Sequence, residues 1–289
     1  MSPPPGALGG AVVDDLGAAL AAVAPLAGGR AVHVLDELPT APARTPWGGG
    51  PSDGPSGVGA WVTLADALGP GEVERWVAAA DAGLAREAHG GAVPRQVAPT
   101  YVLGWVLDAL AQAAGTPYGL LRRVPDLDLA RVAVHRAAPL GQPDAVALLG
   151  RGSWCLPGDR AAVRAGARAT AGDAALAAVL GRALVAAGRA VEAAWTPRVR
   201  VGSHQRWGLL ADAVDGVLGA VGAPRGDAAA GAADAHRVLS SAPQPLRRSG
   251  GVRPDGAGAW TRARRSCCFA YAVSPALVCR TCPRLRRRG

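Results

Sequence analysis

Residues 173–197, DAALAAVLGRALVAAGRAVEAAWTP, carry the clearest structural signal in the chain. Leu176, Leu180, Leu184, Ala187, Val191 and Trp195 recur at three- and four-residue steps and make one stripe. Arg182, Arg189 and Glu192 lie off it, so the pattern is that of an amphipathic helix laid on a core. Pro197 ends it, because proline lacks the N–H that a further turn needs. A second helix is expected over 203–221, with Ser203 as N-cap and Trp207, Leu210, Val214, Val217, Leu218 and Val221 on one face.

Working outward, the same spacing predicts helices at 71–88 (Val73, Trp76, Val77, Ala80, Leu84) and 97–114 (Val102, Trp105, Val106, Leu110, Ala113). A shorter one is expected at 12–27. Between 128 and 158 the character changes. Leu129, Val132, Val134, Ala145, Val146, Leu148 and Leu149 fall in strand-length runs bounded by Pro139, Gly141, Pro143 and Gly150, which predicts a small sheet. The expected fold is therefore α+β, predominantly helical, with a small central sheet. Residues 40–59, 222–235 and 241–258 read as linkers. Three regions result: 1–94, a body at 95–245, and a distinct C-terminal segment at 246–289.

Composition bounds the alternatives. The chain has 289 residues, 49% of them hydrophobic and 18% charged, enough apolar content for a core and too much for a disordered chain. No period of 20–50 residues is present, which excludes a repeat protein. Lys, Ile and Asn are absent, so every basic residue is Arg, and Trp supplies eight of the twelve aromatics.

The net charge of +9 invites a nucleic-acid reading, but its distribution argues against one. Residues 1–245 carry 20 Arg and 21 acids, whereas 246–289 carry 11 Arg against Asp255 alone. A groove-binding face would spread Arg among stacking aromatics. No targeting segment or run of about 18 uncharged apolar residues is evident, so no transmembrane span is expected, and the expected setting is the cytoplasm, the inner face of the membrane included. In that compartment clustered cysteines point to metal more than to disulfides.

Four of the five cysteines fall within 16 residues: Cys267, Cys268, Cys279 and Cys282, spaced C-C-x10-C-x2-C. The C-x2-C half is a chelating hook. The adjacent pair differs, since neighbouring side chains diverge, most strongly if Phe269–Val273 is extended. Sulfurs pointing apart suit two metal atoms, and zinc sites more often use two C-x2–4-C hooks. The spacing thus favours a [2Fe–2S] cluster, whose negative charge Arg264, Arg265, Arg280 and Arg284 could offset. For Arg286–Arg288, beyond the last cysteine, simple solvation of a tail is the better reading.

The run R-R-S-C-C-x-x-Y followed by C-x-x-C-P resembles the C-terminus of the siderophore-iron reductases of the FhuF-like family. Trp154–Asp159 and Pro197–Gly208 resemble the body of its members, so the likeness covers about 95–245 and the C-terminal segment. Two departures stand out: Arg280-Thr281 replaces the small or acidic pair usual between the last cysteines, and an Arg-rich extension follows them.

The resemblance implies a [2Fe–2S] cluster on Cys267, Cys268, Cys279 and Cys282, which act in catalysis through it. It implies reduction of Fe(III)-siderophore to release Fe(II), one electron at a time, with the ferric siderophore as substrate. The partner implied is an external electron donor, a ferredoxin or an NAD(P)H-dependent reductase. Arginines near the cluster are expected to help dock an anionic siderophore or an acidic donor.

Other residues carry less. Gly150-Arg-Gly-Ser-Trp-Cys155 starts like a dinucleotide loop, but Cys155 stands where the third glycine belongs and Pro157 follows, so no nicotinamide site is expected. Cys155 reads as a small buried hydrophobe. The five histidines show no metal spacing, His204 reads as a helix-start residue, and Trp154 and Trp207 read as core. Two other functions fit the motif: a zinc-stabilised interaction module, and a siderophore-binding protein with a structural cluster.

Overall fold

The computed structural model describes residues 16–23, 31–38, 59–88, 93–137, 140–150, 152–197, 199, 201–223, 227–256, 259–274, 278–279 and 281–285. Its axis is α4 (Val97–Leu121), a helix of 25 residues buried along most of its length. The 97–114 periodicity marks only its first part, because after Gln112 the run Ala-Ala-Gly-Thr-Pro-Tyr-Gly reads as a stop. Pro117 is nevertheless accommodated inside the helix. Gly115 and Gly119 keep it intact by packing: a Cβ on them would stand 3.0 Å from Val217 and 2.8 Å from Val221. Arg122 ends it in the left-handed region, with its guanidinium 2.7 Å from Asp234.

Around α4 pack α1 (Leu16–Val23), α3 (Glu72–Glu87), α5 (Asp173–Ala194) and α6 (Ser203–Gly222); a single turn, α2 (Leu64–Ala67), precedes α3. α3 places Glu72 and Glu74 in its first turn and Arg86 in its last, which suits the helix dipole. Its Trp76 is buried and donates from Nε1 to Gly141 O at 2.9 Å. α5 is long and apolar enough to cross a bilayer by composition, but Leu176, Leu180, Leu184 and Val191 are buried in the core. α6 begins at Ser203 with Gly202 as N-cap, so the serine opens the first turn instead of capping it.

The central sheet has four strands in the order β1 (Ala31–Leu35), β5 (Gln142–Leu149), β4 (Val132–Ala137), β2 (Ala60–Thr63). β4 and β5 are the hairpin expected from 128–158, with Val134 opposite Val146. Both edges come from upstream: β1 pairs parallel to β5 and β2 antiparallel to β4. A second sheet joins β3 (Arg123–Pro125), β6 (Ser153–Cys155) and β7 (Ala167–Ala169). One continuous core runs from Leu16 to Val273, through all three regions suggested by composition.

The described part of 222–235 is not a linker; 224–226 lie outside the described residues. Most of that part belongs to α7 (Ala228–Ser241), capped by Asp227, whose Oδ1 accepts from Ala230 N at 2.8 Å. The small residues permit backbone-to-backbone packing, since a Cβ on Gly231 would lie 2.5 Å from Leu218 O. The stretch at 241–258 likewise contains α8 (Leu246–Ser249) and β8 (Val252–Pro254), which pairs with β9 (Trp260–Arg262). Of the expected 12–27 helix, 12–15 and 24–27 lie outside the described residues, as do 40–58 of the expected loop.

Candidate functional site

Gln205, Gly208, Asp212, Asp215 and Gly219 follow one another on α6 at steps of three and four. They form a polar and small stripe on a helix whose other positions are largely apolar. The C-terminal segment lies along this stripe. Arg262 lies over Gly219, where a Cβ would stand 2.5 Å from its guanidinium, and its Nε is 3.3 Å from Asp215 Oδ1. Arg264 Nε donates to Asp212 Oδ2 at 3.1 Å, and Ser266 Oγ donates to the same oxygen at 2.7 Å. Asp212 Oδ1 receives Arg265 N at 3.4 Å. Ser266 packs on Gly208, and Gln205 both accepts from Cys267 N and donates to Cys267 O.

His204 belongs to the same seam. Its Nε2 stands 3.1 Å from Arg265 O, so the residue expected only to start a helix also holds the segment that leads to the cysteines.

After Cys268 the chain does not continue as a strand. Phe269 takes φ 59°, and Ala270–Val273 form one helical turn, α9. Ala272 N donates to Phe269 O at 2.8 Å, closing the reversal. Downstream, Cys282 N donates to Cys279 O at 2.9 Å, the tight turn expected of a C-x2-C hook.

The sulfurs of Cys268 and Cys279 are 3.5 Å apart. Arg264 Nη1 is 3.7 Å from Cys279 Sγ, so one guanidinium joins Asp212 to a sulfur. Burial pushes the Cys279 thiol up, contact with Cys268 adds to this, and Arg264 opposes it. Burial also raises the Cys267 thiol, a backbone hydrogen bond from Phe269 and the charge of Arg284 oppose it, and Cys268 and Cys282 add to it. Arg284 itself lies over the Tyr271 ring at 3.7 Å. Thus Cys268 and Cys279 are in contact, and Cys267 and Cys282 lie within electrostatic reach. Among the described residues no group of three or more His, Cys, Asp or Glu stands ready to hold a metal ion. Arg280 and Arg286–Arg288 lie outside the described residues.

Next to Cys268 opens a cavity of about 540 Å³ between α4 and α6. Thr100, Tyr101, Gly104, Trp105 and Asp108 line one wall, and Leu209, Asp212, Ala213, Asp215 and Gly216 the other; Arg262, Arg264, Cys268 and Thr281 complete it. Burial raises Tyr101 to about 12, with the charge of Cys268 adding to the effect. Burial raises Asp215 to about 6, Arg262 opposing and Asp212 adding.

Cys155 is fully buried in the second sheet, its Sγ 3.9 Å from Arg168 O, as its reading as a small hydrophobe anticipates. Trp207 is buried and packs over Gly188, Trp154 stacks beneath the Arg168 guanidinium, and neither lines the cavity. The cavity residues carry no motif; only the α6 stripe, in which two carboxylates and a glutamine share a face with glycines, was open to detection by spacing. No family model, curated protein or solved structure matches the chain.

Proposed function

We propose that the protein is a ferric-siderophore reductase, with Cys267, Cys268, Cys279 and Cys282 as ligands of a [2Fe–2S] cluster. The observation that carries this reading is the Cys268–Cys279 pair, 3.5 Å apart, with Cys268 on the rim of a ligand-sized cavity. Two thiolates on one tetrahedral metal, each at about 2.3 Å, stand roughly 3.8 Å apart, so this pair suits a shared metal atom. All five cysteines are free, which leaves these sulfurs available as ligands. When bound, the cluster supplies electrons singly.

The chain's own residues supply the setting. Asp212, Ser266 and Gln205 fix the segment that carries the first cysteine pair, and Arg264 offers positive charge and an N–H to Cys279 Sγ. Charge and hydrogen bonds at sulfur favour the more negative, reduced form of such a centre. Ferric iron held by hard siderophore oxygens takes up one electron, becomes ferrous and is released, since those oxygens bind Fe(II) weakly. The electron comes from an external donor, a ferredoxin or an NAD(P)H-dependent reductase, in the cytoplasm.

Visible and EPR spectra of anaerobically purified protein, before and after dithionite, test the reading. A brown protein that bleaches and gives an S = 1/2 signal is expected. A colourless protein containing zinc, still colourless after iron–sulfur reconstitution, would overturn it and favour an interaction module.

A further inference from the structure

The cavity beside Cys268 has the marks of a binding site and not of a packing defect. Its volume of about 540 Å³ lies within the range of small-molecule pockets. α4 and α6 touch closely at Gly115 and Gly119 but leave open space at two other glycines: a Cβ on Gly104 or on Gly216 would meet nothing within 4 Å. Glycine at these helical positions sacrifices about 1 kcal/mol relative to alanine, and packing gives no reason for it. What the two glycines do is keep the cavity deep.

Its charge is also informative. Three carboxylates, Asp108, Asp212 and Asp215, line it against two guanidinium groups, Arg262 and Arg264. Arg262 faces Asp215, and Arg264 is held by Asp212 and Cys279. Asp215 Oδ1 is buried and ion-paired with Arg262 Nε at 3.3 Å, without a hydrogen bond among the described residues. The Tyr101 and Trp105 rings, edge to face at 6.0 Å, give one wall an apolar, polarisable surface. Among the described lining residues the balance is negative, and both lining arginines, Arg262 and Arg264, are already paired.

We infer that the α4–α6 cavity is the substrate site, that it takes a neutral or cationic metal chelate and turns away a polyanionic one, and that Gly104 and Gly216 set its depth. The choice of a metal chelate rests on the reductase reading; the charge preference and the glycine floor rest on the cavity alone. A positive or hydrogen-bond-donating group on the ligand would face Asp108 and Asp215, and its apolar part Tyr101 and Trp105.

Gallium(III) chelates test this without electron transfer, because gallium(III) is not reduced under these conditions. Binding of a gallium tris-hydroxamate carrying a free ammonium is compared with that of a trianionic gallium tris-catecholate, by fluorescence of the tryptophans and by calorimetry. The cationic chelate is expected to bind at least tenfold more tightly. Gly104→Leu and Gly216→Leu should each weaken it tenfold or more while leaving the melting temperature unchanged or higher; Gly104→Ala, which fills little space, should change it least. Equal or tighter binding of the trianion, or undiminished binding in both leucine variants, would overturn the inference. These outcomes are separate from the failure of the reductase reading, which shows in the spectra and not in gallium binding.

Discussion

Arg264 bridges Asp212 and Cys279, its Nε 3.1 Å from the carboxylate and its Nη1 3.7 Å from the sulfur. Burial works against its charge, yet Asp212 and the neighbouring cysteines raise it further above its ordinary value, so it stays protonated at any working pH. On the proposed function this guanidinium stabilises the reduced centre. Arg264→Gln should therefore make the reduction potential more negative by about 60 mV, the one-electron equivalent of a tenfold shift. Arg264→Lys keeps the charge without the two-sided grip and should fall between. An EPR-monitored redox titration measures both, and a potential unchanged in Arg264→Gln would remove Arg264 from this role.

Asp212 accepts from Arg264, Ser266 and Arg265 N, and is the main anchor of the C-terminal segment on α6. Its side chain is only 11% exposed, so removing it strands a partly buried guanidinium. Asp212→Ala should destabilise the protein by about 3 kcal/mol and open 262–268 to trypsin well before the helices melt. Asp212→Asn keeps an acceptor and should lose less. Cleavage kinetics unchanged from the parent would mean that the segment is held elsewhere.

The helices α3, α5 and α6 were legible because their apolar stripes face one core and are bounded by Gly and Pro. The β4–β5 hairpin was legible as strand-length apolar runs bounded by Pro and Gly. The edge strands β1 and β2 were not, since five- and four-residue runs such as Ala31–Leu35 carry too little pattern to reveal a partner a hundred residues away. α7 was hidden by composition: a run of Ala and Gly looks like a linker until α6 is placed against it. At the site, the four cysteines were visible as a motif. The spacing of Gln205, Asp212 and Asp215 on one face of α6 was open to detection, but their role and the cavity wall were not, because both appear only when 262–268 lies on α6.

Gly231 shows how much that hidden contact matters. Alanine is favoured over glycine in a helix by about 1 kcal/mol, but here a Cβ would meet Leu218 O at 2.5 Å and Gly219 Cα at 3.2 Å. These are backbone atoms, which cannot step aside without moving α6. Gly231→Ala is therefore expected to destabilise by roughly 2 kcal/mol net, while Gly104→Ala, facing open space, should stabilise. Chemical denaturation of the two variants side by side checks the contrast; equal effects would show that α6 and α7 do not pack this closely.

Asp215 makes stability depend on pH with a definite sign. Burial lifts it from 3.8 to about 6, Arg262 pulling down and Asp212 pushing up. Below 3.8 the carboxyl is protonated whether the chain is folded or not; between 3.8 and about 6 the folded chain keeps a proton that the unfolded chain releases. Its contribution is thus fully present at the acid end and is lost as pH rises through 6. The shift corresponds to about 3 kcal/mol at most, and to roughly 2 kcal/mol once screening is allowed for, because the side chain is 20% exposed. Asp215→Asn removes the titration. Relative to the parent, the variant should gain about 1 kcal/mol between pH 4.5 and pH 7, the rest of the change falling below pH 4.5, read from urea denaturation at each pH. Parallel profiles for the two proteins would mean that Asp215 ionises normally and that water reaches it from the cavity.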